Sequence, residues 1–148
     1  EPRHAPLACE EARRVGLPFF IGVSCRIGAG DALVGFDFPL VPLAACLDAL
    51  LPFAPTAINV MHTPLAAVEP ALREIRARWH GPLGAYPEIG DGVPHAQHSV
   101  SPDSLAAQAC GWLANGARII GGCCGTTPEH VGALARLPHS AKPVTKSG

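Results

Sequence analysis

Two consecutive cysteines, Cys123 and Cys124, lie in the run Gly121-Gly122-Cys123-Cys124-Gly125-Thr126-Thr127-Pro128-Glu129-His130. Paired thiolates make a soft site suited to zinc. Neighbouring residues on a regular strand point to opposite faces, so the pair can share one ion only where the backbone bends. Gly121 and Gly122 before the pair and Gly125 after it offer that freedom, since glycine tolerates positive φ. A helix opening at Thr126 or Thr127 would add the positive end of its dipole and favour thiolate over thiol. Against this stands the commoner use of a free cysteine as a small buried hydrophobe, or a strained vicinal disulfide. A thiol-redox role is weaker, because the preferred Cys-x-x-Cys spacing is missing.

The elements that must position this pair read as alternating strands and helices. Four nearly continuous apolar runs, Pro18 to Cys25, Thr56 to His62, Pro82 to Tyr86 and Ala117 to Gly122, suit strands buried on both faces of a parallel sheet. Helical patterns occupy Pro6 to Val15, Val41 to Leu51, Val68 to Trp79 and Leu105 to Leu113, and a last helix runs from Thr127-Pro128 through Leu137. Thr63-Pro64, Ser101-Pro102 and Thr127-Pro128 each place a capping hydroxyl before a proline suited to the first helical turn. The expected fold is therefore α/β, with four β/α units of a (β/α)8 TIM-type barrel in residues 1–138 and a disordered tail over 139–148. A half barrel leaves two open sheet edges. The chain is thus expected to be a piece of a longer protein, ahead of pairing with another chain or closing as an open doubly wound sheet.

Composition narrows the function classes. An apolar content of 48% in 148 residues supports one buried core. A formal net charge of -1, with no run of Lys or Arg, lacks the footprint of a nucleic-acid binder. No apolar stretch reaches the roughly 18 residues of a membrane span, and no signal pattern opens the chain, so a cytoplasmic protein is expected. The six cysteines, one adjacent pair and four singles, do not form a secreted disulfide framework.

The ten residues from Gly121 to His130, preceded by Asn115-Gly116-Ala117-Arg118-Ile119-Ile120, resemble the closing motif of the homocysteine S-methyltransferase family. That family includes betaine-homocysteine methyltransferase and the homocysteine domain of cobalamin-dependent methionine synthase. Weaker similarity extends back through Tyr86-Pro87, Asn59 and Gly16-Leu17-Pro18 to Glu1, and covers the carboxyl-terminal half of the family's (β/α)8 domain. The resemblance implies that Cys123 and Cys124 are zinc ligands. It also implies that homocysteine sulfur takes an open metal position and accepts a methyl group from an onium donor or a corrinoid, giving methionine. Glu1 matches the glutamate that helps hold the homocysteine amino group, and Asn59 lies in the substrate-binding segment.

The pattern breaks where the family carries a third cysteine directly after an asparagine. Asn59 is followed here by Val60, which cannot bind metal. Two thiolates fall short of the three protein ligands usual for catalytic zinc. His62, two positions on and on the same side of a continuing strand, is the candidate replacement, set against a loop histidine leading into Thr63-Pro64, with Cys25 at the end of the preceding strand or a missing segment as the alternatives. Glu88, where relatives often have Asn, reads as a solvated loop carboxylate, and His95 and His98 as surface-loop residues. Two readings remain. One is a zinc-dependent methyltransferase completed by residues or a chain beyond this one. The other is a degenerate, metal-free barrel fragment retained for structure or partner binding.

Overall fold

A computed structural model describes residues 3–90 and 100–138. Glu1, His95, His98 and the segment 139–148 lie outside the described residues. A leading helix, α1 (Ala5–Val15), ends at Gly16, whose φ of 74° closes the last turn by donating to the Arg13 carbonyl. Four strands, β1 (Phe20–Val23), β4 (Ala57–Pro64), β5 (Leu83–Glu88) and β6 (Ala117–Ile120), form one parallel sheet in the order β1-β4-β5-β6. Helices α2 (Leu43–Leu50), α3 (Leu65–Arg76), α4 (Pro102–Ala114) and α5 (Pro128–Ala135) follow the strands in turn.

The register places Val23, Val60, Ala85 and Ile120 in one row across the sheet. On that side Ile58, Val60, Leu83 and Ala85 are fully buried in a single core with Leu47, Val68, Leu72, Ile75 and Leu105 of the helices. Each such Leu or Ile contributes about 1.5–3 kcal/mol by leaving water. The other side holds Phe20 and Met61, exposed at 58% and 42%. There the glycines of the strands make room for long neighbours. A Cβ on Gly22 would lie 2.0 Å from the Met61 sulfur, and one on Gly121 would lie 2.3 Å from the Tyr86 ring. A parallel sheet with helices in strand order is compatible with an arc of a (β/α)8 barrel, with β1 and β6 at its edges.

Three features depart from the sequence expectation. The run ending at Cys25 is not one strand: β1 stops at Val23, and Cys25 begins an antiparallel hairpin of β2 (Cys25–Ile27) and β3 (Leu33–Gly35) around a short 3-10 turn. Thr63 does not cap a helix. β4 continues to Pro64, and the Thr63 hydroxyl is taken by the hairpin, accepting from the Cys25 amide at 3.1 Å and donating to the Met61 carbonyl at 3.0 Å. The last helix ends at Ala135 rather than Leu137. The Ser101 cap forms as expected, accepting from the Ser104 amide at 3.2 Å. Among the described residues no helix is long and apolar enough to cross a membrane.

Candidate metal centre

The chain after β6 turns sharply, and its backbone is stitched to the end of β5. The Cys123 amide donates to the Pro87 carbonyl at 3.3 Å, and the Cys124 carbonyl accepts from the Ile89 amide at 3.0 Å. Thr126 closes the turn, its hydroxyl donating to the Cys123 carbonyl at 2.7 Å. Of the three glycines expected to loosen this turn, only Gly125 has positive φ, at 82°. Gly121 and Gly122 serve close approach instead, to the Tyr86 ring and to the Thr126 side chain. Beyond the turn, the Thr127 amide donates to Nδ1 of the buried His130, and His130 Nε2 lies 3.0 Å from the Val100 carbonyl oxygen.

The result is convergence of the two sulfurs, which stand 3.8 Å apart. His62 joins them from β4, with Nδ1 at 3.5 Å from Cys124 Sγ and 4.0 Å from Cys123 Sγ. A tetrahedral ion with Zn–S of about 2.3 Å and Zn–N of about 2.0 Å separates two sulfurs by roughly 3.8 Å and sulfur from nitrogen by roughly 3.5 Å. The three donors therefore already lie close to the edges of a zinc tetrahedron. Among the described residues these three form the group able to hold a metal.

How His62 gets there differs from simple alternation. The pairing of β4 with β5 shifts between Met61 and Thr63, and His62 sits in that bulge with φ of 46°. Thr63, not His62, follows Val60 into the core, both being fully buried. His62 is left unpaired between the rows of Tyr86 and Pro87 with its side chain 40% exposed, beside the strand end to which the Cys123 amide is bonded. Val60 is one row too low and packed among the helices. Cys25 is not brought to the site. It is fully buried against Thr63, and burial pushes its thiol up to about 11, with a hydrogen bond to Thr63 acting the other way.

Glu88 is not a solvated loop residue. It ends β5 with its side chain only 12% exposed, and one carboxylate oxygen is buried without a hydrogen-bond partner, 3.8 Å from His62 Nδ1. The Cys124 thiol is raised above its ordinary value, first by its hydrogen bond with Cys123, then by burial, and further by the charges of Cys123 and Glu88. Asn59 is buried three residues before His62, about 10 Å down the strand. Its Oδ1 has no hydrogen-bond partner and covers Gly84, where a Cβ would lie 2.0 Å from it.

A parallel β/α sheet carrying a His/Cys/Cys group that could hold a metal ion near the carboxyl ends of its strands defines an α/β domain of the kind that builds sites at that end. Residues 3–137 match the family model described as homocysteine S-methyltransferase, and the chain belongs to that family. It is 30% identical over 124 residues to a methionine synthase of Mycobacterium leprae, and equally to one of Mycobacterium tuberculosis, covering 80% of this chain and 10% of each relative. It is 32% identical over 108 residues to the homocysteine S-methyltransferase YbgG of Bacillus subtilis, covering 70% of this chain and 34% of the relative. The chain therefore aligns with about a third of one of these relatives and a tenth of the others.

Proposed function

We propose that this chain forms the metal-holding half of a zinc-dependent homocysteine S-methyltransferase, with His62 in place of the family's third thiolate. The observation that carries the reading is the triangle of His62 Nδ1, Cys123 Sγ and Cys124 Sγ, whose edges of 3.5, 3.8 and 4.0 Å suit one tetrahedral ion. Zinc held there supplies Lewis acidity that brings a substrate thiol to thiolate near neutral pH.

The chain's own residues shape that chemistry. Two thiolates balance the charge of a divalent ion, and the neutral imidazole adds none, so the donor set does not repel an incoming anionic sulfur. Cys124 is exposed and His62 part-exposed, which leaves one side of the triangle open to a fourth donor. Asn59 is assigned to substrate binding by family resemblance, its Oδ1 being buried without a hydrogen-bond partner on the sheet face that carries Met61. Glu1 is assigned to the amino group by family resemblance. The open edges of β1 and β6 are closed by four further β/α units, from the rest of the protein or from another chain, which also complete the pocket for the methyl donor. A cytoplasmic location belongs to the same proposal.

Metal analysis of the intact protein purified without chelator tests this. About one zinc per chain, lost in Cys123→Ala and Cys124→Ala together with methyl transfer to homocysteine, supports the reading. Protein without metal, with both thiols freely titratable, sinks it in favour of the structural remnant.

A further inference from the structure

His62 occupies a conformation that residues with a Cβ avoid unless their surroundings over-determine it. With φ of 46° at the register shift of β4, its ring direction depends on what fixes its backbone. The β2–β3 hairpin does so from both ends. Ser24, immediately before β2, donates its hydroxyl to the His62 carbonyl at 2.6 Å. Phe36, immediately after β3, packs its ring against the imidazole, with centroids 4.8 Å apart and planes tilted by 53°. The two ends are tied to each other, since the Phe36 amide donates to the Ser24 carbonyl at 3.1 Å. The next residue of the bulge is also pinned to the hairpin, through the Cys25 amide and the Thr63 hydroxyl.

We propose that Ser24 is the positioning residue of the metal centre: with Phe36, it holds the His62 bulge so that Nδ1 faces the two sulfurs. This rests on the reading of His62 as a metal ligand. A hairpin inserted between β1 and α2 thereby acquires a task that a plain β/α connection could not perform, because it buttresses a ligand on the neighbouring strand. Losing an outer contact that orients a ligand weakens metal binding by roughly 10- to 100-fold.

The test measures zinc affinity of the intact protein by chelator competition, and the visible spectrum of the cobalt-substituted form. Ser24→Ala is expected to weaken zinc by roughly 10-fold or more and to alter the cobalt bands, and Ser24→Thr, which keeps the donor, to restore both. In a His62→Ala background, Ser24→Ala should change zinc affinity no further, since the ligand it orients is gone. Wild-type affinity and spectrum in Ser24→Ala overturn the inference while leaving the metal centre standing, as does an equal loss in the His62→Ala background. Wild-type protein that takes no zinc overturns the metal reading and this inference with it. Should Ser24→Ala not fold, Phe36→Leu carries the same comparison, because it removes the ring contact and keeps the backbone bond.

Discussion

His62 Nδ1 and Cys124 Sγ face each other at 3.5 Å although their strands, β4 and β6, are not neighbours. The side chains meet over the end of β5, where Pro87 and Ile89 hold the cysteine turn through backbone bonds. The geometry is a matter of height along the strands. His62 lies in the bulge between the rows of Tyr86 and Pro87, whereas Val60 is level with Ala85 and Ile120, below the turn.

That difference in height gives the first prediction. His62→Ala removes one of three protein ligands and is expected to lower zinc affinity by roughly two to four orders of magnitude, taking the binding energy of a structural zinc site as shared among its ligands. Val60→Cys in the same background is expected not to restore it, because position 60 lies inside the helix-facing core. His62→Cys should restore binding and add thiolate-to-cobalt charge-transfer intensity in the cobalt form. Chelator competition and absorption spectroscopy decide. Recovery through Val60→Cys would show that the register across β4 and β5 is wrong.

The turn itself depends on Gly125. Its φ of 82° is costly for any other residue, and an added Cβ would lie 2.4 Å from the Gly90 amide nitrogen and 2.7 Å from the Gly90 Cα. Gly125→Ala is expected to destabilise the protein by more than about 1 kcal/mol and to loosen the metal site, since the two loops must separate. Gly111→Ala, on α4 with open space where its Cβ would go, serves as the control and should be neutral or stabilising. Equal melting temperatures for the two variants would refute the close approach.

Much of the scaffold was legible because buried parallel strands announce themselves as continuous apolar runs. Three of the four expected runs became single strands, and all five expected helices formed. The missed elements share a cause. Each strand of the β2–β3 hairpin has three residues, too few for any periodicity to register. A hydroxyl before a proline signals a cap only when no partner claims the hydroxyl. Ser101 was free to cap, whereas Thr63 was taken by Cys25 and Met61. Cys123 and Cys124 were readable as a pair from their glycines, although the reason differed at Gly121 and Gly122. His62 was singled out by residue type, but the bulge that turns it toward the sulfurs left no trace in Asn59-Val60-Met61-His62. Ser24 and Phe36 carried no pattern at all, and Glu88 stood out only as a departure from the family's Asn, because their roles exist only between strands far apart in sequence.

At the opposite end of the strands, Arg76 ties two loops together, the one between α3 and β5 and the one between α4 and β6. Nη1 donates to the carbonyls of Trp79 and Gly81 at 3.2 and 3.1 Å, and Nη2 to that of Gly116 at 3.0 Å. Arg76→Met keeps the apolar stem and removes all three donors, with an expected loss of about 2–3 kcal/mol, since bonds from a charged donor exceed neutral ones. Arg76→Lys should recover only part of this, because an ammonium lacks the planar fork that reaches carbonyls on both sides. Urea unfolding of the three proteins checks the order, and a lysine variant as stable as wild type would show that charge alone matters.

Cys25 contributes a loss of stability at alkaline pH. Its thiol moves from an ordinary 9.0 to about 11 in the folded chain, mainly because burial disfavours the thiolate. Between these values the folded state keeps a proton that the unfolded state has released, so fewer protons are bound on unfolding and stability falls as pH rises. The contribution is complete below about pH 9 and is lost as pH climbs through about 11, by at most about 2–3 kcal/mol. Cys25→Ala has no proton to lose, and its urea midpoint should fall less between about pH 8 and about pH 10.5 than that of the wild type, despite a lower starting value from the cavity. Parallel pH slopes for the two proteins would mean that the thiol ionises within the fold as easily as in water, contrary to its packing against Thr63.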